Sequence, residues 1–350
     1  LVKGKGFHEI QELYGLYGRK EDVICPDLLR FPHNYNTVSR GHMYSWFNKH
    51  LGLGIKEPIA EKDYKLFTRE EHAVWTDKYP KPPGGDAFER KLTRQLADQD
   101  SKLLDAMSDK DRRATVRNAW KIMIGRELPA AADIELEPLQ GRSRLSLPAK
   151  GEVIPVITYQ TTRVYRKVVI WVDGKGKDGL YDDEGKPIEA LRRLHSTAGG
   201  THVILADLFL QGEFLAPGKT LTQTPTVRNR REYAGYTHGY NHSVFARRTH
   251  DILSLIALAG KQSKLPVHFV ATAGAAPPAA AALAIAGSAV SKAVLEIADF
   301  TFAGIKNYRH PDFIPGAVKY GDLKGLLELC PKGSFRSVKA LSDKYLEWLR

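Results

Sequence analysis

In the second half of the chain, short unbroken apolar runs alternate with longer amphipathic stretches. Val168–Val172, His202–Ala206, Val267–Ala271 and Val294–Ile297 each read as a strand buried on both faces. Helical stretches separate them. Pro187–Leu194 is one, and Ser243–Ala259 is another, with Val244, Ile252, Leu255, Ile256 and Leu258 as its apolar positions. The Ala-rich stretch Pro278–Ala289 is a third. Short strands alternating with helices predict an α/β fold with a parallel sheet. Just before this region, Arg142–Tyr165 alternates apolar and polar residues, which predicts two antiparallel strands.

The first half reads differently. Phe7–Gly18 places Phe7, Ile10, Leu13, Tyr14 and Tyr17 on one helical face, with Gly18 as the stop. Val23–Phe31 reads as a strand interrupted by Pro26. A loop of turn formers, Phe31-Pro32-His33-Asn34-Tyr35-Asn36, leads into a helix over about Thr37–Leu51, capped by Asn36 or Thr37. Gly54–Gly85 is an irregular connector rich in Pro and charge, and it marks a boundary by composition. Two charged amphipathic helices are predicted next, about Asp86–Met107 and Ser108–Ile124, the second ending at Gly125.

Composition narrows the classes. With 350 residues and 43% hydrophobic content, the chain is long enough for about two domains with real cores. Its one long uncharged apolar run, Ala271–Val290, is built from Ala, Gly and Pro and reads as a buried core helix, not a membrane span. The net charge of +12 is scattered among acids, as in Asp111-Arg112-Arg113 and Arg247-Arg248. Nucleic-acid binders concentrate such charge on one face or arm, so no nucleic-acid partner is expected. A basic surface can still attract acidic polymers, acidic sugars included. Cys25 and Cys330 are too few for a disulfide framework or a metal site.

Three places invite chemistry. Val267–Ala289 has the strand, sharp turn and apolar helix of a nucleophile elbow. Its tip, Thr272-Ala273-Gly274-Ala275-Ala276-Pro277, holds no Ser, Cys or Asp. Thr272 is the only hydroxyl there, and it sits on the strand side. The second place is Asp173-Gly174-Lys175-Gly176-Lys177-Asp178-Gly179, which matches G-x-G-x-x-G after a strand, with Asp207 ending the next one. A dinucleotide site needs a helix opening inside the glycines. Here Tyr181–Pro187 intervenes with three acids, so a plain loop is expected and no cofactor. The third is His33, in a loop between a strand end and a helix start, where an imidazole could take a proton near neutral pH. The cluster Tyr236-Thr237-His238-Gly239-Tyr240-Asn241-His242-Ser243 brings His and Ser together, but base and nucleophile usually converge from different loops.

Pro32-His33-Asn34-Tyr35-Asn36-Thr37-Val38-Ser39-Arg40, running into Met43-Tyr44-Ser45-Trp46-Phe47, resembles the last catalytic loop and helix of bacterial acetyl-xylan-esterase-like two-domain α/β-hydrolases. Asp207–Glu213, Tyr236–Asp251, the elbow and Pro315–Leu323 resemble the family's second, degenerate hydrolase-like domain. The resemblance implies that residues 1–55 are the C-terminal piece of a catalytic α/β-hydrolase domain and 56–140 a linker with charged helices. Residues 141–350 would be a degenerate α/β-hydrolase-like domain, a parallel sheet flanked by helices. His33 then matches the catalytic base, and the nucleophilic Ser and orienting acid would lie upstream of Leu1. The implied activity is that of a serine hydrolase on acetylated polysaccharide or another small ester, with no metal or cofactor and a periplasmic or secreted setting. This chain alone would be inactive. The other expectation is a non-catalytic pseudo-hydrolase that acts as a scaffold or polysaccharide-binding module.

Overall fold

The computed structural model describes residues 2–160, 164–195, 200–227 and 234–349. It divides into two compact units, Leu1–Pro83 and Gly84–Arg350.

Among the described residues, the first unit holds two α-helices, α1 (Phe7–Leu16) and α2 (Thr37–Leu51). Asn36 caps α2 by accepting the Ser39 N–H at 3.0 Å, and Gly52 ends it in the left-handed conformation. Glu61 anchors α2 by accepting from Arg40 Nη2 at 2.8 Å and from the Tyr44 hydroxyl at 3.0 Å. The guanidinium, closest of its partners, holds the Glu61 carboxyl down at about 2. Val23–Phe31 does not form the expected strand and runs as irregular chain. Pro26 offers no N–H to a ladder, and no strand exists among the described residues of this unit to pair with it. None of the described residues of the unit is buried, and Leu16, Tyr17, Leu29, Leu51, Leu66 and Val74 are more than half exposed.

The second unit begins with α3 (Asp86–Asp105) and α4 (Asp109–Ile124). The antiparallel strands β1 (Glu135–Leu139), β2 (Arg142–Leu147) and β3 (Glu152–Gln160) follow. Next come β4 (Val168–Asp173), α5 (Glu189–His195), β5 (His202–Ala206), α6 (Ala234–His238) and α7 (Val244–Gln262). β6 (Val267–Thr272), α8 (Ala276–Ala286), β7 (Lys292–Glu296), α9 (Asp322–Leu327), β8 (Phe335–Val338) and α10 (Asp343–Trp348) complete it. The sheet order is β1-β2-β3-β5-β4-β6-β7-β8. β3 pairs antiparallel with β5, and every pair from β5 to β8 is parallel.

The apolar runs explain this sheet. β4 is buried along its whole length, and its side chains alternate between two cores. Val168, Ile170 and Val172 enter the core covered by α4, α7, α8 and α9. Val169 and Trp171 enter the other, covered by α5 and α10. α4 contributes Val116, Ala119, Trp120 and Ile124 at helical spacing, so its charged face is the solvated one. Trp120 packs against Phe245 and Phe302, with ring centroids 6.1 and 5.5 Å away. Ala276–Leu283 is fully buried, and the Ala-rich run is therefore a core helix; among the described residues no helix is long and apolar enough to cross a membrane. The unit is an α/β fold, a mixed eight-stranded sheet that is parallel from β5 to β8 and flanked by helices.

Candidate active site

β6 and α8 are joined by the tight turn the sequence predicts. Ala273 sits at its tip with φ +49°, followed by Gly274 at φ +93°. An L-residue at positive φ is strained, and an acyl-transfer nucleophile occupies such a turn so that its side chain stands clear of the strand. Ala273 is solvent-exposed and presents a methyl group where a hydroxyl would be needed. Thr272, one residue earlier, is turned inward. Its hydroxyl donates to Asp173 Oδ2 at 2.7 Å and accepts from Trp171 Nε1 at 3.0 Å. A hydroxyl fixed in this way ties β4 to β6 and is not presented to a substrate.

The glycine motif lies directly beside this turn. A Cβ on Gly174 would stand 1.7 Å from the Ala273 carbonyl oxygen. One on Gly176, which has φ +81°, would meet Asp207 Oδ1 at 2.4 Å, and one on Gly179 would meet Asp173 Oδ1 at 2.3 Å. The three glycines therefore serve close backbone packing. The loop amides point the same way: Gly174 N–H donates to the Thr272 carbonyl at 3.1 Å, Lys175 N–H to Asp173 at 2.9 Å and Lys177 N–H to Asp207 at 2.7 Å.

Asp207 is fully buried and also accepts the Glu213 N–H at 3.0 Å. The Lys177 ammonium pairs with Asp207 and, at 2.5 Å, with Glu213, which Arg142 reaches at 2.7 Å. Burial pulls the Lys177 pKa down, but the two carboxylates outweigh it and leave it raised. The carboxylate that the motif would offer to a ribose is consumed by this cluster. Helix α7 holds the next part of the loop: Arg248 Nε donates to the Phe209 carbonyl at 3.1 Å, and Asp251 accepts the Phe209 N–H at 2.6 Å. Burial drives the Asp251 carboxyl up to about 8.

His33 belongs to the other unit. It is exposed on a hollow of about 570 Å³ lined by Cys25, Leu28, Phe31 and Ser39, and it makes no hydrogen bond or ion pair among the described residues. The His238–Ser243 cluster separates on folding. His238 Nε2 lies 3.2 Å from the Tyr308 carbonyl, and buried Ser243 caps α7 by accepting the Ala246 N–H at 3.1 Å. His242 instead meets His250, with ring centroids 5.1 Å apart. His250 was not singled out by sequence, because its partners Ile124 and Glu152 lie about a hundred residues away. Among the described residues no group of three potential metal ligands comes together.

No protein-family model and no curated protein matches this sequence. Solved structures with a partial likeness include a carboxyl esterase of Bacillus coagulans, at 16% identity and TM-score 0.30 over 48% of this chain and 44% of that one. A Bacteroides fragilis protein assigned as an acetyl xylan esterase aligns at 13% identity and TM-score 0.38 over 66% and 69% of the two chains. The acetyl xylan esterase of Paenibacillus sp. R4 aligns at 15% identity and TM-score 0.28 over 56% and 63%. The chain thus spans under half the length of the first of these. Likenesses this distant add no argument to the topology described above.

Proposed function

We propose that this chain belongs to a carbohydrate-esterase-like serine hydrolase acting on acetylated polysaccharide or another small ester. In this reading the α/β-hydrolase-like unit Gly84–Arg350 performs no acyl chemistry, and residues 1–55 carry the general base His33. One observation carries the silent-domain reading: an exposed alanine occupies the strained tip of the elbow. The neighbouring amides supply a second support. Acyl transfer needs N–H groups aimed at a developing oxyanion, and those of Gly174, Lys175 and Lys177 are bound internally. For His33, the exposed imidazole beside a hollow fits a base that takes a proton from a serine hydroxyl. The serine and the acid that such a base serves are not assigned to any residue of this chain.

The test compares hydrolysis of p-nitrophenyl acetate by the full chain, His33→Ala and Ala273→Ser. All three should match the buffer rate within error, and a fluorophosphonate probe should leave Gly84–Arg350 unlabelled. A His33-dependent rate, or an adduct within that unit, would refute the silence of this chain.

A further inference from the structure

The second unit carries a hollow that the elbow does not use. Its volume is about 500 Å³, within the range of small-molecule sites. The C-terminal end of α4, the β2–β3 connection and the start of α7 enclose it. Its apolar wall is Pro129, Leu147 and Ala149. Facing them are Arg126, Lys150, His242, Arg247 and His250 with three carboxylates, Glu127, Asp133 and Glu152.

Formal charges balance, but the partners do not. Arg126 and Glu152 satisfy each other through paired contacts, Nη2 to Oε1 at 2.6 Å among them. Glu127 is taken by Lys121 at 2.9 Å, a residue outside the lining. Lys150, Arg247 and the ring nitrogens of His242 have no hydrogen-bond or ion-pair partner among the described residues. Of the three carboxylates, Asp133 is the one without a hydrogen-bond or ion-pair partner among the described residues. The guanidinium carbon of half-buried Arg247 lies over the Phe209 ring, 5.2 Å from its centroid, and the guanidinium N–H groups have no acceptor among the described residues.

The wall is also preformed. His250 is buried and its Nε2 sits 2.6 Å from the Ile124 carbonyl, at the end of α4. A Cβ on Gly125 would stand 2.6 Å from His242 Cε1, so a glycine lets that ring lie over the helix end.

We propose that this hollow binds a small organic carboxylate, with Arg247, Lys150 and His242 as its ligands and Leu147, Ala149 and Pro129 against its carbon skeleton. Guanidinium suits a carboxylate through two parallel N–H donors, and the apolar wall favours an organic anion over a bare inorganic one. The charge around His242 fits. Burial first, then Arg247 and Arg126, lower its pKa, against an opposing pull from Glu152. A bound anion would reverse the effect of the two arginines.

Glucuronate, inorganic phosphate and glucose, titrated at constant ionic strength into the full chain, provide the test, read from the ring resonances of His242. Glucuronate should shift them saturably and raise the titration midpoint of His242, glucose should do nothing, and phosphate should bind more weakly than glucuronate. Arg247→Met should weaken glucuronate binding roughly tenfold or more, as expected for loss of a charged hydrogen bond. Lys332→Met, a cation outside the hollow, should leave it unchanged. No saturable shift, equal loss in both variants, or phosphate binding as tightly as glucuronate would each overturn the proposal. Circular dichroism of Arg247→Met separates lost binding from lost fold, and a misfolded variant is replaced by Arg247→Lys, where weaker binding is again required.

Discussion

Replacing Ala273 by glycine should stabilise the protein. At φ +49° an L-residue carries a penalty of roughly 1–2 kcal/mol from its own Cβ. Glycine removes that penalty but loses roughly 0.5–1 kcal/mol more chain entropy on folding. The Ala273 methyl is solvent-exposed, so no packing is lost with it. The difference spans about 0–1.5 kcal/mol with a centre near 0.75, an increase of about 2–3 °C in Tm at the centre for a unit of this size. Urea unfolding of the full chain, followed by far-UV circular dichroism, measures the gain as a higher midpoint at constant slope. Ala279→Gly provides the opposite sign. That residue is buried inside α8, and its loss should cost about 1 kcal/mol from helix propensity alone. If Ala273→Gly instead lowers the midpoint, Ala273 is not a strained tip, and the assignment of this turn as an emptied elbow fails.

Two other outcomes follow from the same structure. Gly174→Ala should lower stability by about 1–3 kcal/mol or more, because the new Cβ meets backbone that no rotamer change can move, whereas Gly260→Ala, at an exposed position near the end of α7 with nothing within 4 Å, should raise it by roughly 0.5–1 kcal/mol. Stability should fall on both sides of neutral pH. Burial holds His250 and His268 at about 4, so below their ordinary range the unfolded chain binds more protons and stability falls as pH drops. Asp251, raised to about 8 by burial, works in the other direction: its stabilisation is present in acid and is lost as pH rises towards 8. His202 and His242, also lowered by burial, add to the acid-side loss, and Asp312, raised by burial, acts in the same direction as Asp251, whose own loss amounts to roughly 1–2 kcal/mol between pH 6.5 and 8. Asp251→Asn should flatten the alkaline limb in a pH series of urea midpoints, and an unchanged limb would refute the assignment.

The central sheet could be read from sequence because β4, β5, β6 and β7 are buried on both faces and leave continuous apolar runs. The edges could not. β1 has a mostly exposed face, and β8 holds four residues with one buried, so neither leaves a clear period. Val23–Phe31 failed for the converse reason: its apolar content suggested a strand, but a strand exists only where a partner accepts its ladder. At the candidate site, the missing nucleophile was visible at once in Thr272–Pro277. The role of the glycine motif was not. What Gly174, Gly176 and Gly179 avoid are atoms of Ala273, Asp207 and Asp173, and which strands stand side by side is fixed by the β5-β4-β6 order. The same separation in sequence hid His250, whose meaning depends on Ile124 and Glu152.

In the proposed reading, the silence of this unit rests on the elbow and the glycine loop together, not on one side chain. β4 and β6 are neighbours, so the loop after β4 and the turn after β6 stand at the same end of the sheet. In an acyl-transfer site of this architecture, the turn gives the nucleophile and one amide, and a nearby strand-end loop gives the second amide. Here the turn gives a methyl group. Amides of the β4 loop close onto Thr272, Asp173 and Asp207, and the last of these is locked by Lys177. A serine at position 273 would therefore face a loop whose Gly174, Lys175 and Lys177 donors are already bound, the last of them to a carboxylate held in a buried ion pair. On the proposed reading, these two features, one chemical and one electrostatic, are why a single substitution should not create an esterase in this unit. The strain at Ala273 persists without a nucleophile because the packing of Gly174 against its carbonyl holds the turn in place.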